Sequence, residues 1–173
     1  MLRMAILTVC IAIGFQARAL ELDAPFQSID GGKITLSQWA GQPVLVVNTA
    51  SRCGYTKQYD GLQSLYDTYR ARGLVVLAVP SGDFRQELKT NAAVKGFCEL
   101  QFDLDLPMTE ITRVKGPSAH AFYKSLKFEV GFEPRWNFNK VLIGPNGAVV
   151  KTFGARTKPM SSMIRREIES LLN

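Results

Sequence analysis

The chain has 173 residues, of which 46% are hydrophobic and 21% charged, a balance typical of a folded globular protein and not of a disordered or fibrous one. Its net charge is +6, but the lysines and arginines are scattered and do not cluster with aromatic residues. This distribution does not favour nucleic-acid binding. No internal repeat or low-complexity segment divides the sequence, and its length fits one domain with a real core.

The N-terminus has the pattern of a secretory signal peptide. A short head that carries Arg3 precedes an apolar run over 5–15, and Ala17-Arg18-Ala19 has the small-x-small form of a cleavage site. We therefore expect a signal peptide over 1–19, cut after Ala19, and an exported chain, periplasmic or secreted, with one domain over 20–173. The alternative is an uncleaved N-terminal anchor, although the apolar run is short for a permanent membrane span.

Hydrophobic periodicity predicts alternating strands and helices in the first half of the mature chain. Two runs are apolar at nearly every position, which is typical of strands buried on both faces of a sheet. The segment between them has its apolar residues on one helical stripe. The predicted elements are a short strand at 26–29 with a turn at 30–33, a buried strand at 44–48, a helix at 55–69 ended by Gly73, and a buried strand at 74–79 ended by Pro80.

The second half adds three predicted helices and a hairpin. The turn Gly144-Pro145-Asn146-Gly147 between two strand-like runs is a strong hairpin signal. The last helix is amphipathic, and we expect Met163, Ile164, Ile168 and Leu171 to face the core. The predicted elements are a helix at 86–98 weakened by Gly96, an extended piece at 104–108, a helix at 118–126 capped by Ser118, hairpin strands at 138–143 and 148–153, and a helix at 160–172.

This order of elements predicts the α/β class, with a central mixed β-sheet flanked by helices. It fits a thioredoxin-like fold.

The cysteines are the main candidates for chemistry. Cleavage of the signal peptide would remove Cys10 and leave Cys53 and Cys98 in a compartment where disulfides form. Cys53 follows a predicted buried strand and precedes a predicted helix, and active sites of open α/β sheets gather at that end of a strand. A helix N-terminus also stabilises an anion, so the position favours a reactive thiolate, helped by Arg52 and Lys57. The alternative is an inert core cysteine.

Two redox motifs are absent around this cysteine. Cys53 is followed by Gly54, Tyr55 and Thr56, so the chain lacks the Cys-x-x-Cys pair of dithiol oxidoreductases. It also lacks the Pro-x-x-x-Thr-x-x-Cys motif of peroxiredoxins, because Val46 stands where the proline would be.

Other segments carry a resemblance to a known family. The segment around the thiol reads Asn-Thr-Ala-Ser-Arg-Cys-Gly-Tyr-Thr over 48–56, and Tyr-Asp-Gly-Leu-Gln-Ser-Leu-Tyr follows over 59–66. A second motif, Trp-Asn-Phe-Asn-Lys, occupies 136–140, and a looser block spans 116–126. Together they resemble the glutathione peroxidase family in its cysteine form, over nearly the whole mature chain. The resemblance implies a thioredoxin-like fold and a thiol peroxidase that reduces hydrogen peroxide and organic or lipid hydroperoxides.

The resemblance also implies roles for individual residues. Cys53 would attack the peroxide and become a sulfenic acid, with Trp136 and Asn137 as hydrogen-bond donors beside it. Asp83 stands where the family usually has Gln, and an ionised carboxylate cannot donate and would oppose a thiolate. We therefore expect Asp83 to be turned away, protonated or acting as a proton acceptor, with Gln86 as a candidate substitute.

Cys98 matches the place of the resolving cysteine in two-cysteine members of the family. The implied cycle forms a disulfide between Cys98 and the oxidised Cys53, and a thioredoxin-like protein or glutathione then reduces it. The helix around Cys98 would have to unwind locally, and Gly96 makes that helix weak. The alternative is a core cysteine, with a small thiol resolving Cys53 directly.

The expected partners are a hydroperoxide and a thiol reductant, without nucleic acid and without stable membrane insertion. Tetrameric members of the family that this chain resembles carry a longer insertion between the positions of Leu126 and Trp136, so the resemblance implies a monomer with an open site. We expect neither a metal nor another cofactor, because one histidine and two distant thiols make a poor ligand set. That histidine, His120, is interpreted as a surface or structural residue.

Two other functions stay open at this point. One is an exported thiol-disulfide oxidoreductase, and the other is a non-enzymatic redox sensor or binding protein that uses the same fold. The Asp83 substitution is the feature that keeps both alternatives open.

Overall fold

A computed structural model describes residues 20–172, so the predicted signal peptide and its cleavage site lie outside the described residues. The strands are β1 (Phe26–Gln27), β2 (Lys33–Ile34), β3 (Val44–Thr49), β4 (Val75–Pro80), β5 (Lys140–Ile143) and β6 (Val149–Phe153). The helices are α1 (Gln58–Tyr69), α2 (Asn91–Phe102), α3 (Ala121–Val130) and α4 (Ser162–Glu169).

Four strands form a mixed sheet in the order β4-β3-β5-β6. The central pair β3 and β4 is parallel, in a register that runs from Val44 opposite Val75 to Thr49 opposite Pro80. Strand β5 is antiparallel to β3 and to β6, which is the predicted hairpin. Every residue of β3 and β4 is buried, as expected for apolar runs covered on both faces. The prediction of an α/β fold with a mixed central sheet is confirmed.

Alternate residues of β3 face two separate halves of the core. Leu45 and Val47 belong to a cluster that includes Tyr59 of α1 and Ile164 of α4. Val44 and Val46 belong to a second cluster, which includes Phe122 of α3. The helices therefore cover both faces of the sheet, and the loops at the carboxyl ends of β3 and β4 meet at one edge.

Two helices begin later than their periodicity predicts. The prediction placed the start of the first helix at 55, but residues 51–57 form turns and α1 begins at Gln58. The prediction placed the second helix at 86–98, whereas α2 begins after Thr90, whose hydroxyl accepts the N–H of Ala93 and caps the helix. It ends at Asp103, which has a left-handed conformation with φ of 48°.

The third and fourth helices also differ from prediction at their starts. Ser118 does not cap α3. Instead the Nδ1 atom of His120 accepts the N–H of Phe122, and its ring stacks on Phe26 at 3.7 Å between centroids. This fits the structural interpretation of His120. Helix α4 begins after Ser161 and not at 160, and Met163 is half exposed, so the prediction that Met163 faces the core is wrong.

Within residues 20–172, no helix combines the length and the apolar character that crossing a membrane requires.

Candidate active site

Cys53 lies in a compact turn between β3 and α1, held by the side chain of Thr56. The backbone N–H of Cys53 donates to Thr56 Oγ1 at 3.0 Å, and that hydroxyl lies 2.7 Å from the carbonyl of Cys53 and 3.1 Å from that of Ala50. The N–H of Thr56 donates to the same Cys53 carbonyl at 3.0 Å. These bonds satisfy the backbone of the turn internally and fix the direction of the Cys53 side chain.

The sulfur of Cys53 is nearly buried and unpaired with the other described cysteine. Cys53 is 8% exposed and carries a free thiol. The N–H of Tyr55 donates to its Sγ at 3.4 Å. Helix α1 starts only at Gln58. The donor to the sulfur is therefore the backbone N–H of Tyr55 and not the first turn of the helix. The turn therefore places a backbone hydrogen-bond donor against the sulfur.

A segment that follows β4 holds the cysteine turn in place. Glu87 Oε1 accepts the N–H of Ser51 at 3.0 Å and that of Leu88 at 2.8 Å. The N–H of Arg52 donates to the carbonyl of Gln86 at 2.8 Å. Burial raises the pKa of the Glu87 carboxyl group, while the donors from Ser51 and Leu88 act in the opposite direction. Gln86 and Glu87 therefore position the two residues that precede Cys53.

The same segment reaches Asn137. The side-chain Nδ2 of Asn137 donates to Gln86 Oε1 at 2.9 Å, and Asn137 is fully buried. Its Oδ1 has no hydrogen-bond partner among the described residues. Gln86 thus contacts the Cys53 turn with its backbone and Asn137 with its side chain. The structure brings these three parts of the chain together across long sequence separations.

Asn48, the buried residue near the end of β3, anchors the second motif. Its Nδ2 donates to the carbonyl of Trp136 at 2.9 Å, and its Oδ1 accepts the N–H of Asn139 at 3.1 Å. Its backbone carbonyl accepts the N–H of Phe138 at 2.6 Å. One asparagine therefore fixes three positions on either side of Asn137 and connects the motif to the strand that leads to Cys53.

Phe138 has a strained backbone that a buried lysine supports. Its φ is +61°, an unusual value for a bulky residue, and its carbonyl accepts Lys140 Nζ at 2.8 Å. Lys140 also donates to Gln58 Oε1 at 2.6 Å. The ammonium group is fully buried, and this burial lowers the pKa of Lys140 to about 7. Lys140 connects the start of α1 to the Trp136–Asn137 turn.

Trp136 stands at the surface and not in the core. It is 42% exposed, and its ring lies 5.6 Å from that of Phe84, centroid to centroid. Lys115 Nζ lies 4.5 Å from the centroid of the Phe84 ring. The core alternative for Trp136 is therefore wrong, and its indole forms part of an exposed aromatic edge.

The carboxylate of Asp83 points to a different part of the molecule. Its Oδ2 accepts the N–H of Val114 at 2.7 Å and of Lys115 at 3.2 Å, and its Oδ1 lies 3.6 Å from Arg113. The side chain is 7% exposed. Of the three expectations for Asp83, this geometry favours a carboxylate turned away to stabilise the loop at 113–115. The side-chain amide beside Asn137 belongs to Gln86 instead.

Cys98 lies on the inward face of α2, in the same half of the core as Cys53. It is 1% exposed and carries a free thiol. Burial raises the pKa of the Cys98 thiol to about 11, and the charges of Glu87 and Glu99 act in the same direction. In the folded helix Cys98 is therefore a protonated core residue. A resolving role would require α2 to open.

Sequence reasoning missed several positioning residues. Asn48 and Lys140 lie inside the motifs that carry the family resemblance, but the resemblance assigned neither of them a role. Glu87 was not among the candidate residues. A signal was present for Asn48, because an asparagine at the end of an all-apolar strand must find buried partners. No comparable signal marks Glu87, whose partner Ser51 lies 36 positions away.

Known proteins are similar to this chain over most of its length. A model of the glutathione peroxidase family matches residues 22–127. The hydroperoxy fatty acid reductase gpx1 of Synechocystis sp. is 38% identical over 170 residues, with 92% of this chain and 94% of that protein covered. The matched range includes Cys53, Gln86 and Cys98.

Solved structures are also similar to this chain. The apo crystal structure of the protein called Trgpx is 31% identical, with a TM-score of 0.69 and coverage of 89% of this chain and 96% of that one. A thiol:disulfide interchange protein of the thioredoxin family from Chlorobium tepidum is 14% identical, with a TM-score of 0.65 and coverage of 86% and 92%. The second likeness shows the fold alone. Together they confirm the predicted thioredoxin-like fold.

Proposed function

Since the chain belongs to the glutathione peroxidase family and is a thiol peroxidase, we propose that Cys53 is the residue that attacks the hydroperoxide. The observation that carries this assignment is the turn around Cys53. The sulfur of Cys53 accepts the Tyr55 N–H at 3.4 Å. Glu87 binds the N–H of Ser51, and Gln86 binds the N–H of Arg52. The side chain of Gln86 also accepts a hydrogen bond from Asn137. Gln86 thus connects the turn that carries the nucleophile to the Asn137 amide.

The chemistry balances as a two-electron oxidation of sulfur. The Cys53 thiolate attacks the terminal oxygen of the hydroperoxide, the O–O bond breaks, and the remaining oxygen leaves with a proton as an alcohol or as water. Sulfur keeps the transferred oxygen as a sulfenic acid. The substrates are hydrogen peroxide and organic or lipid hydroperoxides, in accord with the fatty acid hydroperoxides named for the Synechocystis relative.

The leaving oxygen needs hydrogen-bond donors, and amide groups supply them. Asn137 engages one N–H with Gln86 Oε1, and its second N–H, with the N–H groups of Gln86, can face the developing charge. The exposed indole N–H of Trp136 is a further candidate donor. Gln86 therefore takes the place of the amide that Asp83 cannot provide.

Cys98 is proposed as the resolving residue. Its thiol attacks the sulfenic acid, a disulfide forms, and the oxygen leaves as water. A dithiol of a thioredoxin-like protein, or glutathione, then reduces the disulfide. Because Cys98 is buried with a raised pKa, this step requires transient opening of α2, and Gly96 weakens that helix.

The disulfide oxidoreductase alternative has weaker support. Cys53 is followed by Gly54, Tyr55 and Thr56, so no second thiol is adjacent to it as in a dithiol exchange site. Proteins of that kind share the fold with this chain at low identity only.

Stopped-flow consumption of hydrogen peroxide and of an organic hydroperoxide tests the proposal, with Cys53→Ser as the control. We expect fast consumption by the wild type and none above background by the variant. A wild-type rate no faster than that of free cysteine would overturn the assignment. Cys98→Ser should oxidise at Cys53 at the wild-type rate and form no internal disulfide.

Export and a monomeric state are also part of this proposal. Export rests on the signal-peptide pattern of residues 1–19, and mass spectrometry of the periplasmic protein should find Leu20 at its N-terminus. The monomer rests on the short stretch between Leu126 and Trp136, and sedimentation should give the mass of one chain. An N-terminus at Met1 or a larger mass would contradict these two points.

A further inference from the structure

A cavity opens directly beside the Cys53 turn. Its volume is about 430 Å³, and its wall includes Gly54, Tyr55, Lys57, Arg156, Lys158 and Met160. Gly54 is the residue after Cys53, and the backbone N–H of Tyr55 is the one that donates to the sulfur at 3.4 Å. The cavity therefore adjoins the turn that holds Cys53, at the two residues that follow it.

The fold builds this cavity from two distant parts of the chain. Gln58, at the start of α1, donates through Nε2 to the carbonyl of Ala155 at 2.6 Å. A Cβ added at Gly61 of α1 would lie 3.3 Å from the Pro159 ring, so the glycine permits this close approach. These contacts keep the loop at 154–159 against α1 and set the width of the cavity.

The cavity has a strongly positive rim. Lys57 lies on one side, and Arg156 and Lys158 lie on the other. No aspartate or glutamate of residues 20–172 lines it, and no salt bridge within that range uses any of the three cations. Three unneutralised positive charges at one opening attract a carboxylate.

The remaining lining is largely apolar. Tyr55, Pro159 and Met160 line the cavity. Tyr55 is half-buried, Pro159 is buried, and Met160 is 37% exposed. Exposed methionine and tyrosine next to charged residues are typical of surfaces that bind flexible apolar chains. The cavity thus combines three cations with an apolar wall next to the Cys53 turn.

We propose that this cavity binds the carboxylate and the adjoining hydrocarbon chain of a free fatty acid hydroperoxide, so that the enzyme prefers the acid to its ester. The inference rests on the proposed peroxidase function and assigns a specificity-determining role to Lys57, Arg156 and Lys158. Glutathione fits the lining less well, because its ammonium group would meet the three cations and its polar backbone would leave the apolar wall unused.

The test compares a hydroperoxy fatty acid with its methyl ester, because the pair differs in charge and not in the reacting group. In the wild type, kcat/KM should be larger for the acid. In Arg156→Gln/Lys158→Gln the acid-to-ester ratio of kcat/KM should fall about five- to tenfold. Lys124→Gln, which removes a positive charge on α3, should leave the ratio unchanged. An unchanged ratio in the double variant overturns the proposal.

Two further measurements separate the possible failures. If the double variant instead loses turnover with glutathione at a saturating ester concentration, the cavity is a reductant site and the proposal is wrong. Equilibrium binding of linoleate and methyl linoleate to Cys53→Ser is independent of peroxidase activity. If linoleate binds more tightly than methyl linoleate, and the double substitution weakens linoleate binding, the result supports the cavity assignment. It does so even if the assignment of Cys53 as the attacking residue fails. Equal binding of both ligands contradicts it.

Discussion

Asn137 donates a hydrogen bond of 2.9 Å to the side-chain oxygen of Gln86, and the backbone carbonyl of Gln86 accepts the N–H of Arg52 at 2.8 Å. Gln86 therefore joins the second motif to the turn that holds Cys53. Neither Asp83 nor Cys98 takes part in this connection. The side-chain amide that contacts Asn137 thus belongs to a residue three positions after the one at which the family pattern expects Gln.

Gln86→Ala should slow the oxidation of Cys53. The substitution removes the acceptor of the Asn137 amide and the amide donors of Gln86 itself, and the loss of a preorganised donor typically costs about 10²-fold in rate. Stopped-flow oxidation of the reduced protein by hydrogen peroxide measures this step directly.

Asp83→Asn is the matched control for that prediction. Its carboxylate stabilises the loop at 113–115, so the exchange should lower stability by about 1 kcal/mol and change the oxidation rate by less than about threefold. If Asp83→Asn changes the rate as much as Gln86→Ala does, the assignment of the amide role to Gln86 is wrong.

Asn48→Ala should destabilise the fold and loosen the Trp136 turn. It leaves the Trp136 carbonyl and the Asn139 N–H without their partner, and each buried unsatisfied group costs about 1–3 kcal/mol. Urea unfolding should therefore show a loss of about 2–6 kcal/mol for the two groups together. Asn146→Ala, which removes one bond to the Ala148 N–H in an exposed turn, should cost less than about 1 kcal/mol. Equal losses in both variants would contradict the anchoring role of Asn48.

Gly96→Ala should slow disulfide formation without affecting the oxidation of Cys53. A Cβ at Gly96 meets no atom within 4 Å, and alanine stabilises a helix interior by about 1 kcal/mol over glycine. If α2 must open before Cys98 can react, the open population and the rate of disulfide formation should fall about fivefold. Quenched-flow mass spectrometry follows the disulfide.

Ser64→Ala in α1 serves as the control for Gly96→Ala, because it changes a helix that does not carry Cys98. It should leave both steps at the wild-type rate. A wild-type rate of disulfide formation in Gly96→Ala would show that Cys98 reaches Cys53 without the opening of α2.

Lys140 should make stability depend on pH above neutrality. Its pKa is about 7 in the fold and about 10.4 in an unfolded chain, so between these values the unfolded state binds more protons than the folded state. Stability therefore rises with pH over this range, by at most about 1.4 kcal/mol per pH unit, and is independent of this group below pH 7.

Urea unfolding of the wild type and of Lys140→Met at several values between pH 6 and pH 9 isolates the lysine, since other groups titrate equally in both proteins. The difference in unfolding free energy should be flat below pH 7 and should move in favour of the wild type above it. A flat difference throughout would mean that the ammonium stays charged on the acceptors of Gln58 and Phe138.

Local patterns in the sequence were enough to identify the elements of the fold. The all-apolar runs became β3 and β4, and the turn at 144–147 became the β5–β6 hairpin, because burial of a strand or the geometry of a turn depends on neighbouring residues. The location of Cys53 after β3 followed from the same reasoning. The signal peptide over 1–19 stays a prediction.

Helix starts and side-chain partners were decided by the tertiary structure. The predicted helix at 86 does not form there because Gln86 and Glu87 instead bind the Cys53 turn, more than 30 positions earlier in the sequence. Periodicity contains no information on such a contact, since it depends on how β3 and β4 bring their following loops together.

Only part of the candidate site could therefore be predicted from the sequence. Short motifs and local periodicity were enough to predict the family and the order of elements and to select Cys53 as the candidate reactive residue, because these features depend on residues close together in the chain. Only the tertiary structure decided that the Asp83 carboxylate faces the loop at 113–115, that Gln86 meets Asn137, and that Lys57 and Arg156 share one cavity. These contacts join residues far apart in the chain, and packing of the sheet and helices sets their distances.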